Sequence, residues 1–119
     1  MKQVEFNEIF RNRTKKLALA VIKAVEGLPY SDALGVVRKQ VIRSSTSVAA
    51  NFRTVCRARS ERERFAKLCI VVEESDETLF WMEMMTDAGF IQKEELEPMY
   101  REAEEILKVM AAYKKKLQG

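Results

Sequence analysis

The chain has 119 residues, 47% apolar and 33% charged, with four Gly and two Pro, which excludes a disordered tail and a disulfide- or metal-stapled miniprotein. One helix-rich domain covering residues 1–119 is expected. Histidine is absent and the net charge of +3 is unevenly placed: residues 1–68 hold fifteen Lys/Arg against six Asp/Glu, residues 69–119 six against twelve. A field so divided implies an anionic partner or head-to-tail pairing of unlike faces.

Apolar residues at alternating spacings of three and four predict four helices, over 10–28, 32–57, 61–88 and 93–117. The first seam runs through Phe10, Thr14, Leu17, Val21, Ala24 and Leu28, and Gly27 and Pro29 mark its exit. The second helix is capped by Ser31 or Asp32. Its seam is Val37, Val41, Ser44 or Ser45, Val48, Asn51 or Phe52, and Val55. Ser60 stands three residues before Glu63, the spacing of a capping box. The third seam is Phe65, Leu68, Val72, Ser75, Leu79, Met82 and Thr86, closed by Gly89. The fourth carries Met99, Ala103, Ile106, Met110, Tyr113 and Leu117, with residues 93–97 read as a separate first turn because of Pro98. Short connections between such helices predict an all-α, antiparallel up-and-down four-helix bundle.

The third helix is apolar on a second side. At about 100° per residue, Ile70, Trp81 and Met84 lie opposite the Leu68–Leu79 seam, interleaved with Glu73 and Glu77. These five residues are the candidate oligomer interface, set against a plain scatter of tolerated surface apolars.

Chemistry is sparse. Without histidine the acidic run Glu73, Glu74, Asp76, Glu77 cannot form the Glu-x-x-His di-metal site of bundles, and the four glycines make no phosphate loop. No catalytic residue, metal or cofactor is expected. Cys56, flanked by Arg53 and Arg57, would have a lowered pKa if exposed, but with no base to pair with it a small buried residue in a helix is the better reading. The charged N-terminus has no signal-like run and no stretch approaches ~20 apolar residues, so a soluble, cytoplasmic chain with reduced thiols and no membrane contact is expected.

The basic stripe remains. Lys39, Arg43, Arg53 and Arg57 fall within about 80° of arc on helix 2, and Arg59, Arg62 and Arg64 extend it through the turn. These seven are the candidate phosphate contacts. Backbone-driven, salt-sensitive binding of RNA or DNA would follow. The competing reading pairs these cations with the acids of helix 3, within or between subunits.

Residues Arg38–Asn51 carry a familiar pattern: Gln40, Arg43, Ser47, Val48 and Asn51 occupy a Q-x-x-R-x-x-x-S-V-x-x-N signature. It resembles that of the four-helix-bundle 23S rRNA-intervening-sequence protein family, as do Cys56–Ser60, Phe65, Lys67-Leu68 and Glu73–Glu83. Many relatives have Glu-Gly soon after the Asn; Arg53-Thr54 stands there instead. The resemblance implies a homopentameric ring of antiparallel bundles, often encoded within large-subunit rRNA genes, with no catalytic residues. It also implies similarity to the accessory protein of diversity-generating retroelements, which contacts nucleic acid and a reverse transcriptase. The expected function is a non-enzymatic oligomer that binds nucleic-acid backbone. The alternatives are a protein interaction scaffold without a nucleic-acid ligand and, third, a thiol-dependent activity at Cys56.

Overall fold

The computed structural model describes all residues, Met1–Gly119. Four helices follow one another: α1 Gln3–Glu26, α2 Asp32–Cys56, α3 Glu61–Asp87 and α4 Lys93–Gln118. Each packs on its neighbours in chain order and α1 closes on α4, giving an up-and-down bundle of 44 × 23 × 20 Å. No strand is present.

Local chemistry explains most helix ends. The Ser31 hydroxyl accepts the Leu34 N–H at 3.1 Å, so Ser31 rather than Asp32 is the cap of α2. Ser60 accepts the Glu63 N–H at 3.1 Å, which supplies the hydroxyl half of the expected capping box. At the end of α3, Gly89 has φ +77°, the left-handed conformation that a side chain disfavours. There the Phe90 N–H donates to the Met85 carbonyl and the Gly89 N–H to that of Thr86, the paired bonds of a Schellman motif.

Three expectations need correction. Helix α1 begins at Gln3, seven residues before the predicted start. The extra turns are held by Phe6, whose ring meets Phe10, Phe52 and Tyr113 with centroids 4.8, 6.3 and 5.3 Å away. At its other end Val25 is buried, while Ala24 and Leu28 are half-buried, and Gly27 keeps φ −88° rather than a left-handed turn. Helix α4 runs unbroken through Pro98. Because Pro98 lies within the first two turns, it removes a single backbone bond, to the exposed first turn, and leaves the buried part of the helix intact.

The core is one continuous cluster. Phe52, Leu68, Met82, Met85, Ile106 and Met110 are its largest fully buried side chains. Each such side chain stabilises the fold by about 1.5–3 kcal/mol through burial alone. Ser44, Ser45, Ser75 and Thr78 are the buried polar members beside Thr14. Ser44 and Thr78 meet across α2 and α3 at 3.0 Å, while Ser75 donates to the Val71 carbonyl at 2.7 Å. Small hydroxyl residues satisfied this way let α2 and α3 approach closely.

Candidate nucleic-acid interface

Helix α2 has a cationic residue on each of its two exposed edges, and the neighbouring helices treat them differently. On the α3 side, Arg43 forks between two carboxylates of α3: Nη1 to Glu74 Oε2 at 2.7 Å and Nη2 to Glu77 Oε1 at 2.6 Å. Its Nε also donates to Gln40 Oε1 at 3.0 Å. Glu77 accepts a further hydrogen bond from Trp81 Nε1 at 3.2 Å. Arg43 above all, then Glu74 and Trp81, hold the Glu77 carboxyl down at about 2.

On the α1 side the arrangement is open. Arg53 of α2 and Arg57, which caps its C-terminus, face Arg11 and Lys15 of α1 across a shallow groove. Its floor is apolar and partly small: Ala18, Leu19 and Ile22 from α1, Ala49 and Ala50 from α2. The groove lining contains no carboxylate. None of these four cations has an ion-pair partner, and neither do Lys39, Arg59 or Arg62. Lys39 continues the α2 stripe toward the start of the helix, while Arg59 lies in the α2–α3 connection and Arg62 in the first turn of α3, both exposed.

Of the seven candidate phosphate contacts, five are therefore exposed and unpaired: Lys39, Arg53, Arg57, Arg59 and Arg62. Arg43 is turned to Glu74 and Glu77, and the half-buried Arg64 pairs with Glu61 one turn back. Sequence reasoning missed Arg11 and Lys15. Their signal was present: Leu19 and Ile22 are apolar residues outside the α1 seam, and Leu19 is 46% exposed.

The candidate interface residues on α3 share one arc. Glu73 is exposed, Met84 is 38% exposed, and Ile70 and Trp81 are half-buried. Phe80, unnamed in the sequence reading, is 49% exposed beside that arc and meets Trp81 edge-on at 4.9 Å. Trp81 thus backs the exposed ring while its N–H holds Glu77.

No three Cys, Asp or Glu side chains converge in metal-ligand geometry. Cys56 is half-buried, with its Sγ 4.0 Å from the Asn7 carbonyl oxygen. Burial pushes its thiol above the ordinary range, outweighing the opposing pull of Arg11, Arg64 and Arg57. The lowered pKa foreseen for an exposed thiol does not apply. No helix is long and apolar enough to cross a membrane.

The profile of the 23S rRNA-intervening sequence protein matches residues 7–112, nearly the whole bundle. The chain belongs to that family. Among solved structures it is similar to a 1.70 Å crystal structure from Bacteroides thetaiotaomicron VPI-5482, described as a protein with unknown function from the S23 ribosomal protein family. The two share 27% identity with a TM-score of 0.83, over 92% of this chain and 97% of that one. No curated protein sequence matches the chain. For this family member the Q-x-x-R-x-x-x-S-V-x-x-N residues acquire physical roles. Arg43 bridges to α3, Val48 is core, and the Asn51 amide donates to the Ser47 carbonyl and hydroxyl at 2.9 and 3.0 Å.

Proposed function

We propose that this member of the 23S rRNA-intervening sequence protein family is a non-enzymatic, self-associating bundle that binds RNA or DNA backbone. The observation that supports the reading is the set of exposed cations without carboxylate partners. Lys39, Arg59 and Arg62 are exposed, and Arg53 and Arg57 flank the α1/α2 groove. Unpaired cations keep their full charge for a phosphate, whereas Arg43 would first have to leave two carboxylates. Five copies in a ring, the number the family resemblance implies, would repeat the outward set and gain by avidity.

Binding of this kind releases counterions, so affinity falls steeply with salt and depends little on base sequence. Replacing Arg59→Glu and Arg62→Glu together is expected to weaken binding of a labelled RNA by about tenfold or more at ~0.1 M salt. Each lost contact also reduces the slope of log affinity against log salt by about 0.7–0.9. A wild-type affinity that does not change between low and moderate salt would remove the phosphate-contact reading.

A second reading is favoured by one feature. The apolar floor between the groove cations, with Leu19 and Ile22, offers nothing to a phosphate backbone but suits a protein partner, as in an interaction scaffold. Charge reversal at Arg53 and Arg57 separates the two: lost RNA binding with an intact oligomer favours nucleic acid, and a broken oligomer favours protein.

A further inference from the structure

The uneven charge of the sequence becomes an axial one in the bundle. The start of α1, the α2–α3 connection and the end of α4 lie together, since Phe6 meets Phe52 and Tyr113, and Cys56 meets the Asn7 carbonyl. Cut at the helix midpoints, that half (residues 1–14, 45–74 and 106–119) holds thirteen Lys/Arg against six Asp/Glu, and the other half eight against twelve. Two helix N-termini and two C-termini meet at each end, so the helix dipoles offset one another and the side chains set the field. Lys2, Arg57, Arg59, Arg62, Lys115 and Lys116 are exposed at the basic end, and none of them makes an ion pair.

The same end has an apolar slot. Phe6 of α1 and Val109, Ala112, Tyr113 and Leu117 of α4 line a cavity of about 620 Å³, within the roughly 300–1,000 Å³ of small-ligand sites. Its one carboxylate, Glu61, is engaged by Arg64, which leaves Lys116 in the lining unopposed. The Gln3 amide donates to the Tyr113 hydroxyl at 3.4 Å and the Phe6 ring meets Tyr113 edge-on at 5.3 Å, so the aromatic wall is held from α1. A small apolar acid would use the slot and Lys116 but leave the other cations idle. A strand of nucleotides uses both, with flat apolar base faces for the slot and phosphates in series for the cations. The end is 23 × 20 Å across, room for several phosphates at roughly 3.4 Å or more each. A base paired in a duplex keeps its faces stacked on its neighbours, whereas an unpaired base offers them to a protein.

We propose that this end of the bundle is the nucleic-acid site and that it takes a single strand. Phosphates run across Arg59, Arg62, Lys115 and Lys116, and one unpaired base enters the slot against Tyr113 and Phe6. This rests on the phosphate-binding half of the proposed function and gives it a place and a strand preference. Stacking accepts any base, so little sequence selectivity follows. Lys39 lies in the other half of the bundle and falls outside the site.

Fluorescence anisotropy with a labelled single-stranded RNA of about 10 nucleotides, and with the blunt duplex it forms with its complement, tests this. Wild type is expected to prefer the single strand by about fivefold or more. Lys115→Glu with Lys116→Glu, in the exposed last turn of α4, is expected to weaken the single strand about tenfold or more at ~0.1 M salt and to flatten its salt dependence. Lys39→Glu is expected to leave it within about twofold. Ala112→Leu, which fills the slot, and Tyr113→Leu, which removes its ring, are each expected to abolish the single-strand preference with the salt dependence kept. Circular dichroism checks that every variant remains helical. Equal wild-type affinity for both forms, or a slot variant that keeps the preference, would overturn the strand assignment. A Lys115/Lys116 variant that binds as wild type does, with salt-sensitive binding intact, would overturn the location and leave the phosphate reading standing. A wild type that binds neither form would remove both.

Discussion

The two edges of α2 carry the same residue type to opposite ends. Arg43, on the edge next to α3, is neutralised by Glu74 and Glu77, while Arg53 and Arg57, on the edge next to α1, face two further cations. Nothing within α2 distinguishes these arginines. The charge of the adjacent helix does: α3 presents Glu74 and Glu77 to Arg43, whereas the facing part of α1 presents Arg11 and Lys15. An arginine beside acids becomes structural, and one beside cations remains available to a partner.

The largest effect should come from disturbing the core that holds both edges at their spacing. Phe52 is fully buried beneath α1 and edge-on to Phe6, so Phe52→Ala is expected to destabilise the fold by about 3–5 kcal/mol in chemical denaturation. The open edge should respond mainly in binding: reversing Arg53 and Arg57 relieves repulsion with Arg11 and Lys15 and leaves stability within about 0.5 kcal/mol while abolishing partner contact.

The closed edge should show the converse. Arg43→Ala is expected to cost about 1 kcal/mol at neutral pH, since the pair is half exposed and screened but leaves Glu74 and Glu77 without their cation. The sign with pH follows from Glu77, whose folded pKa is lowered from 4.5 to about 2. A depressed carboxyl contributes stability above its unfolded pKa and loses it as pH falls. The gap between wild type and Arg43→Ala should therefore close as pH drops from 4.5 to about 2. The smallest effect concerns Cys56, beside the open edge. With its thiol pushed up by burial, alkylation at neutral pH should be slower than for a free thiol and should accelerate on unfolding, as mass spectrometry can follow.

Much of this was legible beforehand. Ser31 and Ser60 as caps, Gly89 as the stop of α3 and the seam from Val37 to Val55 are local features, readable one turn at a time. The start of α1 was not, because Val4 and Glu5 are exposed and those turns are held from other helices, by Phe6 against Phe52 and Tyr113 and by Gln3 to the Tyr113 hydroxyl. Pro98 is a related case: it removes one backbone bond, to the exposed first turn, and the helix continues because its buried face from Leu96 to Met110 packs on the core. Phe80 and Trp81 are adjacent in the chain and alike in type, and only the packed bundle shows that Trp81 lies against the core and Phe80 is the ring left outside.

Amino-acid order alone was enough for four helices, their caps and breaks, and a third helix apolar on two sides, since helical periodicity and capping act over a few residues. It could not say which arginines are spent. Arg43 meets its carboxylates 31 and 34 positions along the chain, and Arg53 faces Arg11 from another helix. Charges cancel by distance in space, and that distance exists only once α2 has α1 on one side and α3 on the other.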